Sequence, residues 1–205
     1  MNLVEKLLHL YGKSYSQQLG INPKTDPFKW LIASVLFGAP IQESVAAKTY
    51  AQFEKEHMTT PDGILKTGWD NLVDILDRGG YVRYDYKTAD KLMEMAQNVL
   101  NKGIPFSQEE IISLAKGIGQ VTAAIFLREL NLDIDYTVQK SVYDAAENLG
   151  LIRERTLSEL KRVWVENRIN SYTYVNFETA LLRLGKNFCR KEKHRTCEMR
   201  EWCTL

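Results

Sequence analysis

Long apolar runs, strand-like alternation and an excess of one charge sign are all missing from this chain of 205 residues. No stretch approaches the roughly 18 consecutive apolar residues that a membrane-spanning helix needs, so no place in a bilayer is expected. The opening MNLVEKLLHLYGK is too short and too charged in its apolar part for a secretory signal, and an intracellular protein is the expectation. A formal net charge of +1 excludes a polybasic tail protein and leaves the recognition of any polyanion to local clusters. Cysteine is scarce: the three residues all lie between Cys189 and Cys203. An odd number grouped in this way fits a metal site better than a disulfide framework. Low-complexity segments, internal repeats and flexible linkers are also absent. The length suits one large domain or two small ones with a real core.

What is present is helical spacing, almost throughout. Val4, Leu7, Leu8 and Tyr11 outline a first amphipathic helix. The run from Asn22 to Pro27 then breaks the chain, with Asp26 as N-cap and Pro27 at the first helical position. FKWLIASVLF is apolar on nearly every face, which predicts a helix at the centre of the core, ended by Gly38-Ala39-Pro40. A helix from about Glu43 to Lys55 follows. Ile64, Leu65, Trp69, Leu72, Val73 and Leu76 predict one further helix, stopped by Gly79-Gly80. The loop from Tyr81 to Tyr86 is dense in tyrosine; such rings either cap a core from its rim or stack on bases beside Arg83. The next helix turns Ala89, Leu92, Met93, Ala96 and Leu100 inward, with Met93 and Met95 as core filler. Val138, Val142, Ala145 and Leu149 mark another. Thr156 with Glu159 reads as a capping box ahead of Leu157, Leu160, Val163 and Trp164. A last helix runs from about Tyr172 to Phe188 with Val175, Ala180, Leu181 and Leu184 inward. The expected class is all-α.

One stretch organises the rest. Ser107 with Glu110 opens a helix that Gly117 can end in the left-handed conformation, which a side chain disfavours. Gly119 then leaves the N–H groups of the following helix's first turn uncovered, and donors at the positive end of a helix dipole suit a phosphate. Gly-x-Gly alone signals no more than a helix corner. The longer string L-x-x-G-I-G-x-x-T-A, Leu114 to Ala123, predicts a DNA-binding helix–hairpin–helix, spanning about 108–127. Its contacts are assigned to Gly117, Ile118, Gly119, Gln120, Val121 and Thr122.

From about Pro27 onward the sequence resembles the helix–hairpin–helix DNA glycosylases related to endonuclease III. Three segments carry the resemblance: PFKWLIASVLFGAPIQESVAAKTY, LAKGIGQVTAAIFL and the cysteine-bearing tail. The resemblance implies a two-domain helical fold, with a six-helix domain at 23–130 and a second helical domain made of 1–22 and 131–205. It also implies an essential Asp that opens a helix after the hairpin. Here that residue is Asp135, with Asp133 as runner-up, on a connector shorter than in endonuclease III and without its Gly or Pro. The chemistry calls for a carboxylate there, because breaking an N-glycosidic bond builds positive charge on the sugar. An Asp just before an amphipathic helix is also the usual N-cap, and the two roles are compatible. Bifunctional relatives carry a Schiff-base lysine one residue before Thr-Ala; that position here is Val121. The residue that fills the gap of a flipped base aligns with Ala39, so Ile41 or Gln42 is the candidate wedge and Tyr136 a candidate for the base pocket, with Tyr81, Arg83 and Tyr84 also considered.

The tail spaces its donors C-x4-H-x2-C-x5-C through Cys189, His194, Cys197 and Cys203. The related enzymes use C-x6-C-x2-C-x5-C for a 4Fe–4S cluster, so His194 stands where their second cysteine does. A cluster with one imidazole, a structural zinc and a tail without metal all remain open. Arg183, Lys186, Arg190, Lys191, Lys193 and Arg195 make this end locally positive, and Arg190 and Lys191 are assigned to DNA. Three functions remain. The first is a monofunctional base-excision glycosylase acting on double-stranded DNA, expected as a monomer in the cytoplasm or nucleoid. The second is a helix–hairpin–helix DNA-binding protein without that chemistry. The third is a metal-stapled protein–protein module.

Overall fold

In the computed structural model every regular element among the described residues (1–130, 135–191 and 193–204) is helical. Contacts divide the chain into two units, Met1–Gln17 with Val138–Leu205, and Gln18–Thr137. No helix is long and apolar enough to cross a membrane.

Helices α1 (Leu3–Tyr11) and α2 (Tyr15–Leu19) open the chain, α1 held by a complete capping box between Asn2 and Glu5. In the central unit α3 (Pro27–Gly38) is buried from Phe28 to Phe37, as its all-round apolarity predicts. Trp30 is fully buried and its Nε1 donates to the Phe126 carbonyl at 3.0 Å, which satisfies the indole's polar group while the ring fills the core. Asp26 stands at the N-cap position but makes no side-chain cap; its carboxylate accepts from Thr25 Oγ1 instead. Helix α4 runs from Glu43 to Lys55.

The stretch from Ile64 to Leu76 is not one helix. It divides into α5 (Pro61–Thr67) and α6 (Trp69–Gly79) at Gly68, whose φ of +76° no helix interior adopts. The break turns Trp69 outward to 38% exposure, where its Nε1 donates to Asp90. Helix α7 (Asp85–Lys102) buries Ala89, Leu92, Met95, Ala96 and Val99, so the inward stripe differs at two positions from the expected one. Leu100 is exposed and Met93 only half-buried. Tyr81 belongs to the core and not to a pocket: it is buried and its hydroxyl donates to the Leu36 carbonyl at 2.9 Å.

Helix α8 (Gln108–Ile112) starts where expected, with the Glu110 N–H donating to Ser107 Oγ. It ends well before Gly117, because Ser113 Oγ donates back to the Glu110 carbonyl and Leu114 N–H to Ile111, which tightens the chain into a turn. Helix α9 (Gln120–Leu130) completes the hairpin.

In the other unit α10 (Lys140–Asn148), α11 (Leu157–Glu166) and α12 (Tyr174–Asn187) surround a core that includes Val142, Leu160, Phe177 and Leu181. Thr156 caps α11 by accepting from the Glu159 N–H. The Glu159 carboxylate, however, turns forward to Arg162 at 2.8 Å. Helix α10 begins at Lys140 with Gln139 at its N-cap position, so Asp135 does not open it. Arg183 is used within its own unit: its guanidinium donates to the carbonyls of Tyr11 and Lys13 and lies over the Tyr15 ring.

Candidate functional site

Gly117 and Ile118 shape the hairpin in different ways. Gly117 has φ +89°, which an L side chain rarely adopts. Ile118 points into the core at 4% exposure and its N–H donates to the Ala115 carbonyl, so this residue anchors the turn. The next four amides differ. Those of Gly119, Gln120, Val121 and Thr122 donate to nothing among the described residues, as befits a helix start without a cap. Nothing would meet a side chain at Gly119, so the backbone there is open to close approach.

Gly117 and these four residues line a cavity of about 980 Å³, together with Gly38, Ala39 and Pro40 from the end of α3 and Tyr84, Lys87 and Lys91 near the start of α7. Gly38 lets these parts meet: a Cβ there would lie 2.2 Å from Thr122 Oγ1, on the first turn of α9. Replacing Gly38 with Ala is expected to cost about 1–3 kcal/mol by overpacking, read as a lower denaturation midpoint in urea. Val121 is 40% exposed on this cavity. Beyond Pro40, Ile41 is half-buried; Gln42 is exposed at the N-cap position of α4 and its carboxamide makes no cap.

Asp135 is exposed in the non-helical stretch before α10, without an ion pair or hydrogen bond among the described residues. Tyr136 beside it is half-buried. The following Thr137 N–H donates to Gln108 Oε1 at 2.6 Å, which ties this stretch to the start of α8. Neither Asp135 nor Tyr136 lines the hairpin cavity. Asp133 lies outside the described residues.

In the other unit Cys189, His194, Cys197 and Cys203 line one cavity of about 290 Å³, walled by Leu184, Phe188 and Met199. The thiols are free. Burial pushes the Cys189 and Cys197 thiols above the usual range, and nearby thiols push in the same direction. Among the described residues no three His, Cys, Asp or Glu side chains converge as the ligands of one metal ion do. Arg190 and Lys191 are exposed beside this cavity's first cysteine. Sequence reading missed the clamp that α7 places on the hairpin: Asn98 Nδ2 donates to the Leu114 carbonyl and Glu94 Oε2 accepts from the Lys116 N–H. Their helical spacing was visible, but nothing in it named a partner.

The same arrangement of helices recurs in solved structures. A trapped endonuclease III–DNA covalent intermediate, described as an estranged-adenine complex, superposes with a TM-score of 0.60 at 20% identity over 87% of this chain and 84% of that one. This chain has the endonuclease III fold. A non-covalent endonuclease III–DNA complex gives 0.60 at 17% identity over 87% and 83% of the two chains. A thermostable thymine-DNA glycosylase gives 0.59 at 22% over 87% and 83%. No protein-family model and no curated protein matches the sequence. The endonuclease III fold thus joins this chain to DNA-bound structures through shape, at identities that fix the architecture alone.

Proposed function

We propose that this protein is a DNA glycosylase of base-excision repair, which hydrolyses the N-glycosidic bond of a damaged or mismatched base flipped from duplex DNA. The observation that carries this reading is the row of free amides from Gly119 to Thr122 on an open cavity, in a chain with the endonuclease III fold. These amides hold a backbone phosphate, and the exposed Arg190 and Lys191 add charge. Ile41 or Gln42 fills the gap left by the flipped nucleotide, and Tyr136 borders its base. The Asp135 carboxylate stabilises the oxocarbenium character that develops on the sugar, and water completes the displacement. Val121 offers no amine for a Schiff base at the relatives' lysine position, so strand nicking is weak or absent. A panel of duplexes carrying deaminated, oxidised and alkylated bases tests the reading: release of one base class is expected, and release of none refutes it.

Cys189, His194, Cys197 and Cys203 are proposed to hold a 4Fe–4S cluster, with structural zinc as the alternative. Three thiols and an imidazole suit either group. All four donors line the same cavity of about 290 Å³. When bound, the group cross-links the tail, and the chain's own part is to hold Arg190 and Lys191 in place beside it. Freshly purified protein is expected to show the broad brown absorption of a cluster; a colourless sample containing zinc selects the alternative, and one with neither metal refutes both.

One observation favours a second reading, a DNA-binding protein without glycosylase chemistry: Asp135 does not line the hairpin cavity. On that reading salt-dependent duplex binding persists while no base is released from any substrate.

A further inference from the structure

Helix α7 grips the hairpin along one stripe. Lys91, Glu94 and Asn98 are spaced three and four apart and share a helix face. Asn98 holds the Leu114 carbonyl at 2.9 Å and Glu94 the Lys116 N–H at 2.8 Å. Lys91 comes next along the stripe, with Cε 3.3 Å and Nζ 3.8 Å from the point where a side chain on Gly117 would begin. The first two are clamps that fix the turn. The third is different, because its ammonium has no ion pair and no hydrogen bond among the described residues.

Asp90 and Glu94 line the same cavity but are already engaged, Asp90 by the Trp69 indole at 2.8 Å and Glu94 by the Lys116 amide. Burial without a partner disfavours the charged amine and lowers the pKa of Lys91. Holding an unpaired lysine against a glycine turn therefore costs stability, which an anion in the cavity would return. Lys87 and Lys116 line it too, beside the free amides of Gly119 to Thr122. With Lys91 these lysines outnumber the two carboxylates of the same lining, so the surface is net positive and its complement is an anion.

We propose that Lys91 is a ligand for a DNA backbone phosphate, positioned by α7 beside the free hairpin amides; this rests on the reading that the hairpin faces DNA. Duplex affinity as a function of salt tests it, comparing the wild type with Lys91→Gln, Lys91→Arg and Lys102→Gln. Lys102 is exposed at the far end of α7, so its substitution removes equal charge from the same helix. Lys91→Gln is expected to reduce the slope of log K against log salt by about 0.9, while Lys91→Arg and Lys102→Gln keep the wild-type slope. The loss is expected to be uniform across duplex sequences, because a phosphate contact carries no base information. Should Lys91→Gln melt early, Lys91→Met keeps the buried stem and is judged by the same slope. Unchanged slopes in the folded variants overturn the assignment and leave DNA binding standing. A wild type without salt-dependent duplex binding overturns the hairpin reading and this assignment together.

Discussion

Asp135→Asn is expected to lower base release by a factor of about a hundred to a thousand, the loss typical of removing one transition-state stabiliser. Asn keeps the shape and removes the charge, and it is the charge that stabilises a cationic sugar. Asp135 is exposed and makes no ion pair or hydrogen bond among the described residues, so its replacement removes no bond described there. Stability is therefore expected to stay within about 0.5 kcal/mol of wild type. Binding to duplex with an abasic analogue should persist, since the phosphate contacts assigned to the hairpin lie elsewhere in the sequence. Single-turnover base release and equilibrium binding, measured on both proteins, separate these effects. Equal release by wild type and variant would remove Asp135 from the chemistry.

The second large effect is structural. Gly185→Ala is expected to destabilise the protein by about 3 kcal/mol, the upper end of ordinary overpacking. A Cβ at Gly185 would fall 1.9 Å from the Ser141 carbonyl oxygen and 2.7 Å from its carbon. Those are backbone atoms, so α10 and α12 must separate, where at Gly38 the nearest atom belongs to a threonine side chain. The same two helices frame the cysteine cavity: Asn148 ends α10, and Leu184 and Phe188 come from α12 and the residue after it. Loss of stability should therefore be accompanied by weaker retention of any metal, measured as metal content before and after dialysis alongside urea denaturation. A variant with wild-type stability would show that this helix contact is looser than its geometry implies.

Much of the helix pattern was legible because it depends on neighbours in sequence. Glu43 to Lys55 could be read directly, and the all-round apolarity of FKWLIASVLF announced a helix buried from Phe28 to Phe37. Gly80 and Gly117 both adopt the positive φ that their place after a helical or turn segment calls for. Where a choice hung on a partner far along the chain, periodicity misled. One spacing ran through Gly68 because Leu65 and Leu72 keep a helical phase on either side of it, yet the backbone turns there. Glu159 sat three residues after a threonine and still chose Arg162 over the helix start, an option that spacing cannot rank.

The candidate site divides in the same way. The sequence by itself determined the all-helical class, the glycine turn with its bare first helical turn, and the clustering of sulfur and imidazole donors in the tail, because each is a property of residues close along the chain. Tertiary structure alone decided that Tyr81 belongs to the core, that Gly38 meets Thr122, that Arg183 is occupied by backbone carbonyls, and that Lys91 lies against Gly117 without a partner among the described residues. Those outcomes depend on which side chains converge across many intervening residues, and that is fixed by packing and the competition for partners within it.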